Sequence, residues 1–248
     1  MPRKVVAITG GTQGIGRAVA DLFTRNGYGV AVCSRSLKEP GLPKSYLHLQ
    51  TDVRRQSEVR RFVKAVLDRF GTLDVFVNCA GASRWRPLQR IDEAFLEEVT
   101  DTSLRGTLWG CAAAAAVMKK GGAIINISSL AGKRGSAQNS AYCAGKFAVN
   151  GITQSLAKEL GPKGIRVNAV CPVYVRTQEI LKALSEPNSP VGRRGVAAYL
   201  KEFAATQTAL WRLREAEEVA QVVYFLASPA ASAVTGQCLN VDCGTLPQ

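Results

Sequence analysis

The sequence predicts an α/β fold, in which a parallel seven-stranded sheet is doubly wound so that helices cover both of its faces. Short apolar runs rich in β-branched residues alternate with amphipathic segments along the whole chain of 248 residues. Strands separated by helices must pair in parallel through crossover connections. The first run also opens directly into a glycine-rich turn and a helix. No repeat or break in composition marks a boundary, so we expect a single domain over residues 1–248.

Each predicted strand is a short β-branched run that ends at turn residues. The first, Lys4 to Thr9, has the sequence KVVAIT and ends at glycines. The third follows a loop at 40–43 that contains proline and glycine. The strands are predicted at 4–9, 30–33, 46–51, 73–78, 123–128, 166–171 and 238–241.

The predicted helices carry apolar residues at helical spacing. In the first helix, Ile15, Val19 and Leu22 recur on one face before Gly27 stops it. The helices are predicted at 15–26, 57–70, 91–118, 141–160 and 216–227. The polar stretch 177–208 contains glycine and proline and is long for a loop, which predicts a lid or substrate-binding loop.

Composition and charge exclude several classes of protein. Hydrophobic residues make up 46% of the chain, which suits a large core, yet no apolar run approaches the ~20 residues that cross a bilayer. The first residues lack the features of a signal peptide, so we expect a cytoplasmic protein. The seven cysteines form no CxxC pair and suit buried positions in a reducing compartment. Because His48 is the one histidine and lies in an apolar run, we expect neither a metal site nor a Ser-His-Asp triad.

The turn after the first strand reads TGGTQGIG from Thr9 to Gly16. Glycines allow the backbone to turn sharply and to approach a pyrophosphate, and the N-terminus of the following helix offers free N–H groups and a partial positive charge. Because the turn lies between a strand and a helix, it predicts a dinucleotide-binding site in a Rossmann-type fold.

The spacing TGxxxGxG resembles that of the short-chain dehydrogenase/reductase family of the classical type, and further motifs of the family follow in order over essentially the whole chain. They are Asp52-Val53, Asn78-Cys79-Ala80-Gly81, Ser129 thirteen residues before the YxxxK motif of Tyr142 to Lys146, Pro172 to Thr177, and Thr235-Gly236 with Val241-Asp242. The resemblance implies hydride transfer between a nicotinamide cofactor and a carbonyl or secondary alcohol. We expect cofactor contacts at Gly10, Thr12, Gln13, Gly14, Ile15, Gly16, Ser34, Arg35, Asp52, Val53, Asn78, Ala80, Gly81, Tyr142, Lys146, Pro172, Val173, Val175 and Thr177.

Tyr142 and Lys146 are four residues apart, so they project from one face of the predicted helix. We expect the ammonium to favour the phenolate, which would make Tyr142 a general acid in reduction and a general base in oxidation. Ser129, at the carboxyl end of the fifth strand, would hydrogen-bond the same substrate oxygen, whereas alternation places Ser128 on the opposite face. The resemblance gives Lys146 a further role in holding the nicotinamide ribose.

The end of the second strand favours NADP(H) over NAD(H). NAD-preferring folds of this kind place a carboxylate there to bond the ribose 2′-hydroxyl, but this chain has Ser34, followed by Arg35. Arg35 would pair with a 2′-phosphate, with help from Arg17 in the first helix. NAD(H) stays an alternative, as does the interpretation of Arg35 as an ordinary surface charge.

Two positions depart from the family pattern. Ser103 stands where members usually carry an asparagine that holds a water for proton relay, so either its hydroxyl substitutes, the relay differs or activity is reduced. Val173 replaces the glycine after Pro172 and places a branched side chain near the predicted nicotinamide site. These departures leave open an alternative function, that of a non-catalytic NADP-binding sensor or scaffold.

The net charge of +13 suggests a small anionic substrate rather than nucleic acid or a membrane surface, because the chain has no long basic block and no nucleic-acid module. Basic residues occur in loops predicted to leave the carboxyl edge of the sheet, namely Arg84, Arg86, Lys133, Arg134, Arg176, Arg193 and Arg194. General surface charge is the alternative. The resemblance also implies a homo-oligomer, either a tetramer or a dimer.

Overall fold

The computed structural model describes residues 4–37 and 41–247. Its strands are β1 Val5–Thr9, β2 Gly29–Ser34, β3 Leu47–Gln50, β4 Val75–Asn78, β5 Ala123–Ile127, β6 Arg166–Pro172, β7 Val175–Arg176, β8 Arg214–Glu215 and β9 Cys238–Val241. Seven of them form a parallel sheet in the order β3-β2-β1-β4-β5-β6-β9, and β7 pairs with β8 outside it. This order confirms the predicted fold class. The predicted loop at 40–43 lies partly outside the described residues, at Pro40.

The helices connect these strands. They are α1 Gly14–Arg25, α2 Gln56–Phe70, α3 Glu93–Leu96, α4 Thr102–Ala115, α5 Ser140–Leu160, α6 Gln178–Leu184, α7 Val196–Gln207 and α8 Ala216–Ala227. The predicted bounds of α1, α2, α5 and α8 agree with the structure to within one residue. Within the described ranges, no helix combines the length and the apolar composition that a membrane span needs.

The sheet is buried on both of its faces, which explains why its strands are continuous apolar runs in the sequence. In β1, Val6 and Ile8 belong to the hydrophobic core that α1 and α8 cover. Val5 and Ala7 belong to the opposite core, which α2, α4 and α5 cover. Successive residues of a strand point to opposite faces, so both faces of the sheet need apolar side chains.

The predicted helix 91–118 is wrong as a single continuous element. Asp92 caps α3 by accepting from the Phe95 N–H (2.8 Å), and a π-helical turn at Glu97–Asp101 separates α3 from α4. The helical structure then ends at Ala115. A π-helical turn carries an extra residue, and apolar spacing averaged over a long segment does not detect it.

The stretch 177–208 is not an irregular loop, because it contains α6 and α7. Thr177 caps α6 by accepting from the Ile180 N–H (3.3 Å), and α7 begins after Gly195, whose φ is +78°. Both helices are short and lie among the glycines and prolines that predicted a loop. They form part of a third hydrophobic cluster, the lid cluster, whose buried members are Trp85, Leu184, Val191, Leu200, Phe203 and Leu213.

A buried chain of polar side chains, the Asn126 chain, connects the sheet to α5. Asn78 Nδ2 donates to Asn126 Oδ1 (2.9 Å), and Asn126 Nδ2 donates to Thr153 Oγ1 (2.9 Å). The Thr153 hydroxyl donates in turn to the carbonyl of Val149 (2.8 Å). These buried groups tie α5 to β4 and β5 through side-chain hydrogen bonds, and Asn78 Oδ1 is left without a partner among the described residues.

Candidate active site

The carboxyl edge of the sheet opens into a cleft of about 540 Å³. We call the region around the glycine-rich turn, Ser34 and Arg35 the turn end, and the region around Trp85, Tyr174, Ile180 and Phe203 the lid end. The predicted cofactor residues that line the cleft are Gly10, Thr12, Gln13, Gly14, Ile15, Gly16, Ser34, Arg35, Asp52, Val53, Ala80, Gly81, Tyr142, Lys146, Pro172, Val173, Val175 and Thr177. Asn78 is not among them, because its side chain belongs to the Asn126 chain.

The glycine-rich turn needs glycine because the backbone of β4 comes close to it. Gly10 has a φ of +65°, and a Cβ there would lie 2.9 Å from the Cα of Ala80. A Cβ on Gly16 would overlap the carbonyl of Gly10. The Thr9 hydroxyl holds the two strand ends together by accepting from the N–H groups of Cys79 (3.0 Å) and Ala80 (3.1 Å).

The N-terminus of α1 is open to an anionic ligand. Its N-cap residue, Gln13, makes no side-chain cap, and its first turn carries no acidic residue. Free N–H groups and the positive end of the helix dipole therefore face the cleft. This cradle fits the pyrophosphate of a dinucleotide.

At the end of β2, Ser34 and Arg35 line the cleft as predicted. The Ser34 hydroxyl donates to the carbonyl of Ser36 (2.5 Å) and lies 2.9 Å from His48 Nε2. Arg35 is exposed, and its guanidinium forms no ion pair with the described residues. Arg17 is engaged elsewhere, since its Nε donates to Asp21 (2.8 Å) and it does not line the cleft, so the structure does not support a role for it in holding a 2′-phosphate.

Asp52 lines the cleft next to the end of β3 and is paired within its own loop. Arg54 Nη2 donates to Asp52 Oδ2 at 2.6 Å. Hydrogen bonds from this guanidinium hold the pKa of the Asp52 carboxyl below its usual range. The carboxylate is therefore ionised and partly neutralised where it faces the cleft.

Ser129, Tyr142 and Lys146 meet in the cleft. Tyr142 and Lys146 project from successive turns of α5, with Lys146 Nζ 5.7 Å from the centroid of the Tyr142 ring. The side chains of Ser129 and Ser83 lie close enough to the Tyr142 hydroxyl to act on its pKa, which they lower. The Ser128 hydroxyl instead donates to the carbonyl of Lys146 (3.3 Å), so the structure brings Ser129 to the tyrosine.

Burial controls the ionisation of both residues on α5. Desolvation raises the pKa of Tyr142 to about 12, although the side chains of Ser129 and Ser83 act in the opposite direction. Desolvation lowers the pKa of Lys146 to about 8, and its Nζ donates to the carbonyl of Ile127 (2.8 Å). The expectation that the ammonium would control the phenol is therefore wrong for the chain alone, because desolvation is the larger effect.

Ser103 lies outside the cleft. It is 1% exposed, and its hydroxyl has no hydrogen-bond partner within the described ranges. A Cβ on Gly145 of α5 would lie 3.0 Å from the Cβ of Ser103, so this serine fills the interface between α4 and α5. Ser103 therefore lies against α5 at the residue before Lys146, without lining the cleft itself.

Three residues that contribute to the site were not predicted. Ser83 follows β4 without a motif, and only its position after a strand end could have indicated it. Tyr174 and Phe203 form an aromatic wall at the lid end, with ring centroids 4.7 Å apart. Phe203 lies in the stretch 177–208, which was predicted to contact the substrate, and Tyr174 lies within the motif from Pro172 to Thr177.

Most of the basic residues expected at the mouth of the cleft are paired with carboxylates. Of the seven, Arg134 lines the cleft. The ion pairs are Arg84 with Glu98 (2.8 Å) and Glu186 (3.5 Å), Arg86 with Asp92 (2.8 Å), Arg176 with Glu215 (3.4 Å), and Arg194 with Glu202 (2.9 Å). Among the described residues, no group of three or more histidine, cysteine or acidic side chains could hold a metal ion.

Curated relatives match nearly the full length of the chain. A family model described as enoyl-(acyl carrier protein) reductase matches residues 10–245. The 3-oxoacyl-(acyl-carrier-protein) reductase FabG of Staphylococcus aureus is 35% identical, over 97% of this chain and 97% of that protein. The 3α-hydroxysteroid dehydrogenase of Mediterraneibacter gnavus is also 35% identical, over 98% of this chain and 96% of that protein.

Solved structures share the fold as well. The ligand-free aldohexose dehydrogenase of Thermoplasma acidophilum has a TM-score of 0.88 and 31% identity, over 99% of this chain and 98% of that chain. A blue fluorescent protein from a metagenomic library, solved in complex with NADPH, has a TM-score of 0.86 and 30% identity, over 98% of each chain.

Proposed function

The chain is an oxidoreductase of the short-chain dehydrogenase/reductase family, and from this premise we propose that it transfers a hydride between NADP(H) and a carbonyl or secondary alcohol. The observation that carries the proposal is the meeting of Ser129, Tyr142 and Lys146 in one cleft with the glycine-rich turn. When bound, the nicotinamide cofactor supplies the hydride in reduction and accepts it in oxidation.

Tyr142 moves the proton. Because its pKa is raised to about 12, its hydroxyl is protonated near neutral pH and can donate to a ketone oxygen as negative charge develops there. Oxidation reverses this step: the phenolic oxygen first releases its own proton to solvent and then takes the proton from the alcohol. This assignment gives Tyr142 the role of general acid and base.

Ser129 and Lys146 support this proton transfer. Because the Ser129 side chain lies beside the Tyr142 hydroxyl in the cleft, a substrate oxygen that reaches the phenol also meets the serine, which stabilises the developing charge. Lys146 has three N–H donors, and the carbonyl of Ile127 takes one of them. Within the described residues its other donors make no hydrogen bond, so they can hold a ribose hydroxyl of the cofactor.

Two observations support NADP(H) as the cofactor. Ser34 and Arg35 line the turn end, so a guanidinium without an ion pair among the described residues is available for a 2′-phosphate. The similar blue fluorescent protein was solved with NADPH. We therefore assign the 2′-phosphate to Arg35.

The lid end supports a small-molecule substrate with an apolar body. Trp85, Tyr174 and Phe203 line it, and the exposed Arg134 lies at the same cleft. A ketone or keto acid with an anionic group would place its apolar part against the aromatic wall and its charge towards Arg134. In this proposal the stretch 177–208 acts as the lid.

The proposal extends to assembly and location. Leu104 on α4 and Phe147 on α5 are 36% and 49% exposed, which supports burial of these helices in a homo-oligomer. All seven cysteines are free, which supports a reducing cytoplasm. One catalytic domain spans the chain in this proposal.

Turnover of NADPH with a panel of ketones, ketoses and keto acids tests the function. We expect oxidation of NADPH that falls about 10³-fold in Tyr142→Phe, while calorimetry shows NADPH binding within about twofold of the wild type. Tight NADPH binding without turnover across the panel would support the alternative, a sensor or scaffold, which the position of Ser103 outside the cleft favours.

A further inference from the structure

Glu179 points a carboxylate oxygen at the glycine-rich turn from the first turn of α6. The residue lines the cleft, and a Cβ on Gly14 would lie 2.7 Å from its Oε2 atom. That oxygen is buried, and it has no hydrogen-bond partner within the described part of the chain. A buried carboxylate oxygen without a partner is costly and needs an explanation.

The surroundings of Gly14 explain why an anion stays there. Gly14 is the first residue of α1 and has a φ of +51°, and Gln13 leaves the helix N-terminus without a side-chain cap. The positive end of the α1 dipole therefore attracts the Glu179 carboxylate. The same helix end is the cradle that fits a pyrophosphate.

We propose that Glu179 is an affinity-determining residue that competes with the cofactor pyrophosphate for the N-terminus of α1. The proposal rests on the proposed dinucleotide cofactor. Two anions repel each other at this distance, so a dinucleotide must either displace the carboxylate or bind beside it at a cost. In both cases Glu179 weakens dinucleotide binding.

Displacement of Glu179 would also reach the lid end. Ile180 and Leu184 of the same helix pack in the lid cluster with Phe203. Because α6 is a short helix, a shift of its first turn moves these side chains as well. A movement of α6 in response to the cofactor would therefore couple cofactor binding to the shape of the substrate wall.

Calorimetric affinities test the proposal without any measurement of turnover. The ligands are NADPH, NADH and adenosine 2′-monophosphate, and the proteins are the wild type, Glu179→Gln and Glu202→Gln. The control removes the same charge from α7, where Glu202 is exposed and pairs with Arg194. We expect Glu179→Gln to bind both dinucleotides about fivefold more tightly at low salt, and less so at high salt.

Adenosine 2′-monophosphate has no pyrophosphate, so it separates competition at the N-terminus of α1 from a general change in the attraction of anions to the protein. We expect adenosine 2′-monophosphate to bind Glu179→Gln and the wild type equally, and Glu202→Gln to match the wild type for all three ligands. Unchanged or weaker dinucleotide binding by Glu179→Gln overturns the proposal, as does an equal gain for adenosine 2′-monophosphate. Failure of the wild type to bind either dinucleotide overturns the proposed cofactor itself.

A variant that keeps the negative charge at position 179 tests whether the change in affinity comes from the carboxylate or from a disturbed fold. Glu179→Asp shortens the side chain and withdraws the carboxylate from Gly14, so we expect a smaller gain in dinucleotide affinity than in Glu179→Gln. Circular dichroism and thermal unfolding confirm that each variant is folded. An affinity that falls in Glu179→Asp would mean that the carboxylate holds the cofactor, and it overturns the proposal.

Discussion

At its turn end the cleft is formed by the backbone of the glycine-rich turn, whereas at its lid end it is formed by side chains on loops and helices outside the seven-stranded sheet. Gly10 and Gly16 leave no room for a Cβ because strand ends and the turn itself come close. Trp85 and Phe203 pack in the lid cluster, apart from the two sheet cores. The difference teaches that the cofactor site depends on a local sequence motif, the glycine-rich turn, whereas the substrate site depends on the packing of the lid cluster. Substitutions at the two ends should therefore change different measurements.

The largest expected effect is at the serine where the two ends meet. Ser129→Ala removes the hydroxyl beside Tyr142 that we assign to the substrate oxygen, so we expect kcat to fall by about 10²- to 10³-fold. Ser128→Ala is the matched control, because that hydroxyl donates to the carbonyl of Lys146 and its loss should cost about 1 kcal/mol of stability with little change in kcat. Steady-state kinetics of both variants check this, and equal losses of kcat would contradict the assignment of Ser129.

Lys146 gives a pH-dependent effect on stability. Its pKa is about 8 in the folded chain, below the ordinary value of 10.5. Between these values the unfolded chain keeps its proton and the folded chain loses it, so the stability of the wild type relative to Lys146→Met rises with pH, by up to about 3 kcal/mol. Chemical unfolding at pH 7 to 10 measures this difference. Lys158→Met, at an exposed position on the same helix, is the control for the loss of a lysine. A difference between the wild type and Lys146→Met that does not change with pH would contradict the lowered pKa.

Arg35 tests the turn end alone. Arg35→Ala removes the guanidinium assigned to the 2′-phosphate, so we expect the Kd for NADPH to rise about 10- to 100-fold and the Kd for NADH to change little. Substrate KM at saturating cofactor should stay the same. Fluorescence titration with both cofactors measures the effect, and a parallel loss for NADPH and NADH would show that Arg35 does not read the 2′-phosphate.

Phe203 tests the lid end alone. Phe203→Ala removes most of a ring that is 9% exposed and lines the cleft, so we expect substrate KM to rise about tenfold. The Kd for NADPH should stay within about twofold. Phe225→Ala, a ring on α8 that is 42% exposed, is the control and should change neither value. A loss of NADPH affinity in Phe203→Ala would contradict the claim that the two ends of the cleft bind cofactor and substrate independently.

The smallest effect concerns the paired arginines of the lid. Arg194→Gln breaks an exposed ion pair with Glu202, and such pairs contribute little, so we expect KM for a keto acid to change less than about twofold. Arg134→Gln, in contrast, should raise that KM, and salt should screen the effect. KM measured at low and high ionic strength distinguishes the two variants. A large effect of Arg194→Gln would support the expectation that several basic residues around the cleft attract the substrate.

The sequence could predict the turn end because its determinants are local. The glycines from Gly10 to Gly16, the strand before them and the helix after them follow one another along the chain, and α1 lies within one residue of its predicted bounds. Tyr142 and Lys146 are likewise neighbours on one helix face. Spacing along the chain is enough to place such residues together.

The remaining features depend on contacts between distant segments. Arg84 lies far along the chain from Glu186, so its charge looked free in the sequence. The desolvation that raises the pKa of Tyr142 comes from residues packed around it, which a charge argument from Lys146 does not include. The lid helices were missed because their stability comes from the lid cluster and not from their composition.

The Asn126 chain has a consequence for catalysis, although Asn126 does not line the cleft. The amide and hydroxyl groups below the cleft help to hold the orientation of α5, which carries Tyr142 and Lys146, together with the bonds of Lys146 and Asn150 to backbone carbonyls. An apolar residue at position 126 would leave every ligand contact chemically intact and yet permit the helix to roll. Tolerance to substitution should therefore be low in an interior layer that neither substrate nor cofactor reaches.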